Sequence, residues 1–459
     1  MGDAPLFPQI TYNELVDYLV NAPGNYQRWW ISLYQSAPHH VWVETSLLVF
    51  IIWLMFIRKT VDPAKSSNKA KLTKQEEEML IASWNPAPLV ETASKLEDGT
   101  KDVAIIEYVR NGHIKLKGTS SELINLTSFD FFGMGQNLEV KEAARAALEK
   151  YGCGSCGPRG FYGTIDVHLQ FEKVIADFMG TDEAICYSDG ASAISSEIPA
   201  FARKGDLLLV DEACSEPIYT GLTLSRATIQ FFSHNNVGEL RKILESIRAD
   251  DAKYKRDSTQ QRRWIVVEGV YRNTGNVCPL EKILELKEEF KYRVFLDESI
   301  SFGTMGNTGR GLTEHFGKSI VDIDILNISL ETALGSVGGV CVGTREVVDH
   351  QRLSGAGYCF SAAAPPFLST VAMKSLSLLE TDRTYIQKLR ENRRLFHSLL
   401  KTSDFFVVSN EETVLIHLNL KYMQNFSLEE EILITCAKIC VDSGVAVVAS
   451  THHAHMKVM

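Results

Sequence analysis

The residues able to do chemistry lie in a few short stretches. Ile328 to Gly343 reads ISLETALGSVGGVCVG, a polar approach into a small-residue, glycine-paired turn. A turn of that kind suits a side chain that carries a cofactor, yet it holds no lysine. Asp297 closes the apolar run of FLDES. Alone, an aspartate at a strand end serves a cap or a salt bridge more often than a cofactor. Cys153 and Cys156 form the C-x-x-C of CGSC. Glycines surround that pair and no second pair stands at ligand spacing, so neither zinc nor redox chemistry is expected there. His452, His453 and His455 in THHAH sit near an end, where a frayed tail outweighs a metal site. No metal is expected.

The elements that must position these residues follow from pattern. The chain has 459 residues, 45% of them hydrophobic, enough for one large domain and a smaller satellite. A net charge of -10 excludes general nucleic-acid binding, which needs clustered cations against phosphate. Nine cysteines without a secreted spacing pattern fit a reducing compartment. The runs EAICYS, DLLLVDE, RWIVVEG, YRVFLDE, DILNISL and VGGVCVG read as short strands. Helical stretches such as 238–249 and 280–290 lie between several of them. Strand and helix in alternation predict a mainly parallel sheet with helices on both faces. From about Phe367 the pattern turns helical, then gives FFVVS, TVLIHLNL and a helix near 428–442, a small α+β domain. The charged stretch 251–263 reads as a solvated loop.

Val41 to Ile57 reads VWVETSLLVFIIWLMFI. Its uncharged part is short of the roughly 20 apolar residues of a full span. Counting Trp42 and Val43, with Glu44 at the headgroups, gives a thin transmembrane helix over 41–59; an interfacial or buried helix is the alternative. Arg58, Lys59, Lys65, Lys69, Lys71 and Lys74 follow it, which predicts a single pass with the bulk of the chain cytosolic. Residues 1–40 form a membrane-proximal segment able to lie on the lipid or against a partner helix. The expected division is then 60–110 linker and arm, 111–366 large domain, and 367–459 a shortened small domain.

Four stretches in order carry a resemblance. They are YGCGSCGPRGFYGTIDVHLQFE (Tyr151–Glu172), CYSDGASAISSEIPAFARKGDLLLVDE (Cys186–Glu212), FLDESISFGTMGNTGRGL (Phe295–Leu312) and the glycine-paired turn. From about Asn125 to Pro366 the chain resembles the α-oxoamine synthases, pyridoxal-phosphate enzymes that condense an amino acid with an acyl-CoA. The resemblance implies a type I aminotransferase-like α/β fold. It also implies a site in which a lysine forms the Schiff base, an acid meets the pyridinium nitrogen and a histidine stacks on the ring. The family writes its lysine in a T-x-x-K frame. Here that frame gives Ser329 and then Thr332 at the lysine position. Asp297 is kept, while the histidine of the acidic block is Ile300, the ring-stacking histidine is Ser215, and the serine that meets the phenolic oxygen is Arg272. A threonine cannot form an imine, so this chain is expected to have no catalytic residue of its own. A guanidinium at Arg272 would need a carboxylate, for which Glu331 is the candidate.

The family forms dimers whose sites lie at the subunit interface. The resemblance therefore implies that this chain completes the site of a lysine-bearing partner, which holds pyridoxal phosphate covalently. Its contribution would come from the glycine-rich loop, with Cys156, Gly157, Arg159, Phe161 and Tyr162, and from Ser361 in FSAAAPP. Membrane lipid, small regulatory membrane subunits and an endoplasmic-reticulum location belong to the same expectation; nucleic acid does not. Two alternatives stand beside it: a self-sufficient oxoamine synthase, and a membrane-tethered scaffold that completes no site.

Overall fold

The computed structural model describes residues 38–60, 72–86, 104–401, 406–421 and 426–449, with scattered positions between 24 and 36. Two compact units divide the chain, 1–101 and 102–459. In the first, α1 spans Pro38–Thr60 and exposes the apolar side chains from Leu47 to Met55. The stretch expected to span a membrane over 41–59 is thus helical; among the described residues no helix is long and apolar enough to cross one. Helix α2 (Lys74–Ser83) starts at a capping box, in which Thr73 Oγ1 accepts from Glu76 N–H and the Glu76 carboxylate accepts from Thr73 N–H. THHAH lies outside the described residues, as does most of the segment before α1.

The second unit opens with β1 (Ile106–Arg110), β2 (His113–Leu116) and β3 (Leu123–Asn125). Asn111 and Gly112 both take positive φ between β1 and β2, the conformation a two-residue hairpin turn demands. The boundary expected at residue 111 therefore falls within a hairpin. There follow α3 (Leu138–Tyr151), α4 (Asp166–Met179), β4 (Glu183–Tyr187), α5 (Gly190–Phe201), β5 (Leu207–Asp211), α6 (Glu216–Ser225) and β6 (Thr228–Phe232). The chain continues through α7 (Val237–Tyr254), β7 (Arg263–Glu268), α8 (Leu280–Phe290), β8 (Arg293–Asp297), α9 (Leu312–His315), β9 (Ile325–Ser329) and α10 (Leu330–Ala333). It ends with β10 (Gly339–Gly343), α11 (Arg345–Ser354), α12 (Ala356–Phe360), α13 (Pro366–Thr381), α14 (Thr384–Leu400), β11 (Phe406–Val408), β12 (Leu418–Leu420), α15 (Phe426–Asp442) and β13 (Val445–Ala446).

Seven strands form the central sheet in the order β4-β10-β9-β8-β7-β5-β6. The five from β9 to β6 run parallel, and β10 lies antiparallel to both of its neighbours. Every residue of β5 and β9 is buried, because strands covered on both faces must be apolar throughout. Ile185, Leu208, Ile265, Val294, Ile328 and Val340 fill the centre of the core. A second sheet joins β1, β2 and β3 to β13, which runs parallel to β3. The N-terminal hairpin and the last described strand thus share one sheet. The stretch expected as a solvated loop over 251–263 is partly helical. Asp251 is buried and pairs with Arg263 at 2.6 Å.

Candidate active-site cleft

Parallel α/β sheets gather their chemistry at the carboxyl ends of the strands, since the crossover connections leave a crevice there. Here β5 ends in Asp211, β7 in Glu268, β8 in Asp297 and β9 in Ser329. Register aligns Glu268 with Asp297, and Asp297 with Asn327, across neighbouring strands. Asp297 Oδ1 accepts from Ser299 N–H at 2.9 Å, from the Ser299 hydroxyl, and from Asn327 Nδ2 at 3.1 Å. Glu268 accepts from the backbone N–H of Ser215 and, at 2.8 Å, from that of Arg272. Burial, and then the charge of Asp297, push the Glu268 carboxyl up to about 7. Burial likewise raises Asp297 against its hydrogen bonds and the pull of Arg272.

All six positions expected around a cofactor meet at this end of the sheet. Thr332 lies in α10, directly beyond β9. It is buried, and its hydroxyl donates to the Ser299 carbonyl at 2.6 Å. The Thr332 carbonyl accepts from Phe131 N–H at 3.2 Å, which fixes the segment further. Ile300 is buried apolar core. Ser215 is buried as the N-cap of α6 and makes no side-chain cap. Ser329 Oγ accepts from Glu331 N–H at 3.4 Å, and a Cβ on Gly190 would stand 2.8 Å from that oxygen. The expectation for Arg272 needs correcting. No ion pair within 4 Å joins it to Glu331 among the described residues; its guanidinium stacks over the Phe129 ring at 4.6 Å. Delocalised, weakly hydrated guanidinium groups favour such faces. Glu331 feels the arginine charge at longer range, and burial outweighs it to raise that carboxyl.

Pyridoxal phosphate held by this chain does not fit these side chains. Position 332 offers no amine. At the N-terminus of α5, the natural seat for a phosphate, Asp189 Oδ1 accepts from Ser192 N–H at 2.8 Å, placing a carboxylate there. Sequence reasoning overlooked Glu268, Glu298 and the Asp211–His234 pair. Asp211 holds His234 Nδ1 at 2.9 Å and accepts from the Tyr271 hydroxyl at 3.0 Å. The available signal was an acid closing each of three apolar strands, LLLVD, RWIVVE and RVFLD.

The residues expected to face a partner also come together. The loop from Gly152 to Gly163 packs on the segment after α12. Ala363 N–H donates to the Gly157 carbonyl at 2.8 Å, and Ser155 Oγ to the Ala363 carbonyl at 2.6 Å. Beneath it Arg159 is buried, with two bonds to Glu172 at 2.7 and 2.9 Å. Above it, Tyr162 is 104% exposed in a left-handed conformation and Phe161 is 71% exposed. Phe360, next to Ser361, is 85% exposed. Cys153 and Cys156 are free and exposed.

The pattern of the family described as aminotransferase class I and II matches residues 121–452. Serine palmitoyltransferase 1 of Dictyostelium discoideum is 41% identical over 357 residues, 78% of this chain and 72% of that protein. Long chain base biosynthesis protein 1 of Arabidopsis thaliana is 39% identical over 396 residues, 86% of this chain and 80% of that one. A solved structure of SPT with its PLP internal aldimine is 28% identical, with a TM-score of 0.69 over 77% of this chain and 84% of that chain.

Proposed function

The chain belongs to the aminotransferase class I and II family, and from that premise we propose that it is the non-catalytic subunit of serine palmitoyltransferase. Its role is in sphingolipid long-chain-base synthesis, as the names of its relatives support. The partner is the catalytic long-chain base subunit 2, whose lysine carries pyridoxal phosphate and on which L-serine and palmitoyl-CoA condense to 3-ketosphinganine. One observation carries the reading: Thr332 stands where the Schiff-base lysine belongs, buried and tied to the Ser299 carbonyl.

The contribution of this chain is positional. The loop with Cys156, Gly157, Phe161 and Tyr162, and the segment at Ser361, present exposed aromatic side chains to the partner's site. Aromatic groups of this exposure are what subunit interfaces bury. The large domain, whose first hairpin straddles residue 111, runs to 366, and the small domain covers 367–459. The helix over 41–59 anchors the chain as a single pass in the endoplasmic-reticulum membrane. The cations after it hold the bulk of the chain in the cytosol, and lipid and small regulatory membrane subunits pack against the anchor.

The test is co-expression. The chain purified alone shows no visible absorbance band that borohydride abolishes and forms no 3-ketosphinganine. Together with the lysine-bearing subunit it restores product. A reducible band and condensation by the isolated chain would make it a self-sufficient synthase. A partner that is stable and fully active without this chain would leave it only a scaffold.

A further inference from the structure

The glycine-rich loop and the segment after α12 meet at one buried imidazole. His168 stands in the first turn of α4 and is 1% exposed. Its Nδ1 lies 3.1 Å from the backbone nitrogen of Ile165, and its Nε2 lies 2.8 Å from the Ala364 carbonyl oxygen. A backbone N–H only donates and a carbonyl only accepts, so Nδ1 is bare and Nε2 carries the proton. Burial holds the imidazole below its usual range, which favours this neutral form.

One ring therefore makes two different bonds. The first is local: it caps α4, because Ile165 precedes the helix and has no side-chain acceptor of its own. The second is distant. It reaches the chain just before Pro365 and Pro366, which have no N–H with which to fix themselves. Two further ties of that segment, from Ala363 N–H to Gly157 and from Ser155 to the Ala363 carbonyl, run only to the loop. His168 instead joins it to a helix whose Phe171 and Ile175 are buried in the core. Phe161 and Tyr162 precede α4, and Ser361 precedes Ala364, so the imidazole sits at the root of both pieces.

We propose that His168 is a positioning residue for the condensation: its bond to the Ala364 carbonyl sets the loop and the segment at Ser361 in the mutual arrangement that completes the partner's site. The buried imidazole meets no substrate itself and acts through Phe161, Tyr162 and Ser361. This role rests on the chain's being the site-completing subunit.

Two substitutions separate the two bonds. Asparagine places an oxygen where Nδ1 stands but is too short to reach Ala364. Glutamine places an amide N–H where Nε2 stands but offers no acceptor at Nδ1. Each variant is co-expressed with the lysine-bearing subunit. Formation of 3-ketosphinganine is measured per purified heterodimer, beside the melting temperature of the complex. His168→Asn is expected to assemble at the wild-type yield and to lower kcat about tenfold, since misplaced positioning groups cost turnover. His168→Gln is expected to melt lower, having lost the cap, and yet to recover most of the wild-type kcat because the distant tie is kept. An imidazole that only stabilises the fold would give no such crossing; turnover would follow the melting temperature. Wild-type kcat in His168→Asn, an equal loss in both variants, or failure of either to assemble overturns the proposal. A wild-type chain that adds nothing to the partner's activity sinks the subunit reading, and this role with it, before any variant is made.

Discussion

At position 332 a threonine hydroxyl donates to the carbonyl of Ser299, a structural tie where the proposed reading expects a reactive amine in the partner. Reversing one residue does not reverse the chemistry. Thr332→Lys is expected to give no borohydride-sensitive absorbance and no condensation in the isolated chain, because Ser215 and Ile300 still lack imidazoles and Arg272 still occupies its place against Phe129. The same change should lower the melting temperature, since the new ammonium enters a buried position without a built acceptor. Robust activity in that variant would show that the rest of the cleft had kept its function. Arg272 itself illustrates how a charge can be accommodated without a salt bridge: backbone N–H to Glu268, guanidinium on an aromatic face.

Among the elements, the loop between α3 and α4 brings its own backbone into close approach at a glycine. Gly163 has backbone from Gly157 where a side chain would go: an added Cβ would lie 1.8 Å from the Gly157 carbonyl oxygen. No rotamer relieves a clash with backbone, so the loop itself must move. Gly163→Ala is therefore expected to displace Phe161 and Tyr162 and sharply reduce co-purification with the lysine-bearing subunit. The central sheet, whose core lies in other elements, should keep most of its urea resistance. Co-purification at the wild-type level would mean that this loop does not form the interface. The buried Arg159–Glu172 pair holds the base of the loop to β4, since Glu172 also accepts from Cys186 N–H at 3.0 Å.

At the scale of the whole molecule the core carries a set of buried carboxyls. Glu268 and Glu298 are each pushed up to about 7, foremost by burial, and Glu197 and Asp297 are raised as well. Both Glu197 oxygens are buried without a partner, which is tolerable for a neutral carboxyl and costly for a charged one. For a glutamate raised from 4.5 to about 7, folding gains stability that is complete below 4.5 and lost as the pH rises through about 7. The urea midpoint should accordingly fall between pH 5 and pH 8, each such group contributing up to a few kcal/mol. Glu298→Gln should shrink that fall; an unchanged pH profile in the variant would mean that the carboxyl is ionised in the folded protein.

The sequence by itself determined the strands and the threonine at position 332. Strands buried on both faces are continuous apolar runs, so EAICY, LLLVD, RWIVVE, RVFLD and ILNIS were legible locally. That threonine is a residue identity at a fixed offset from Ser329 and Gly335, and needs no coordinates. Only the tertiary structure decided what surrounds it. Asp297 and Glu268 become neighbours through strand register, and Arg272 meets Phe129 rather than Glu331 through packing of distant segments. The pairing of β3 with β13 and the bond from His168 to the Ala364 carbonyl arise in the same way. Local periodicity fixes which face of an element is apolar. Which distant groups then share a buried space is set by the free energy of packing those faces together.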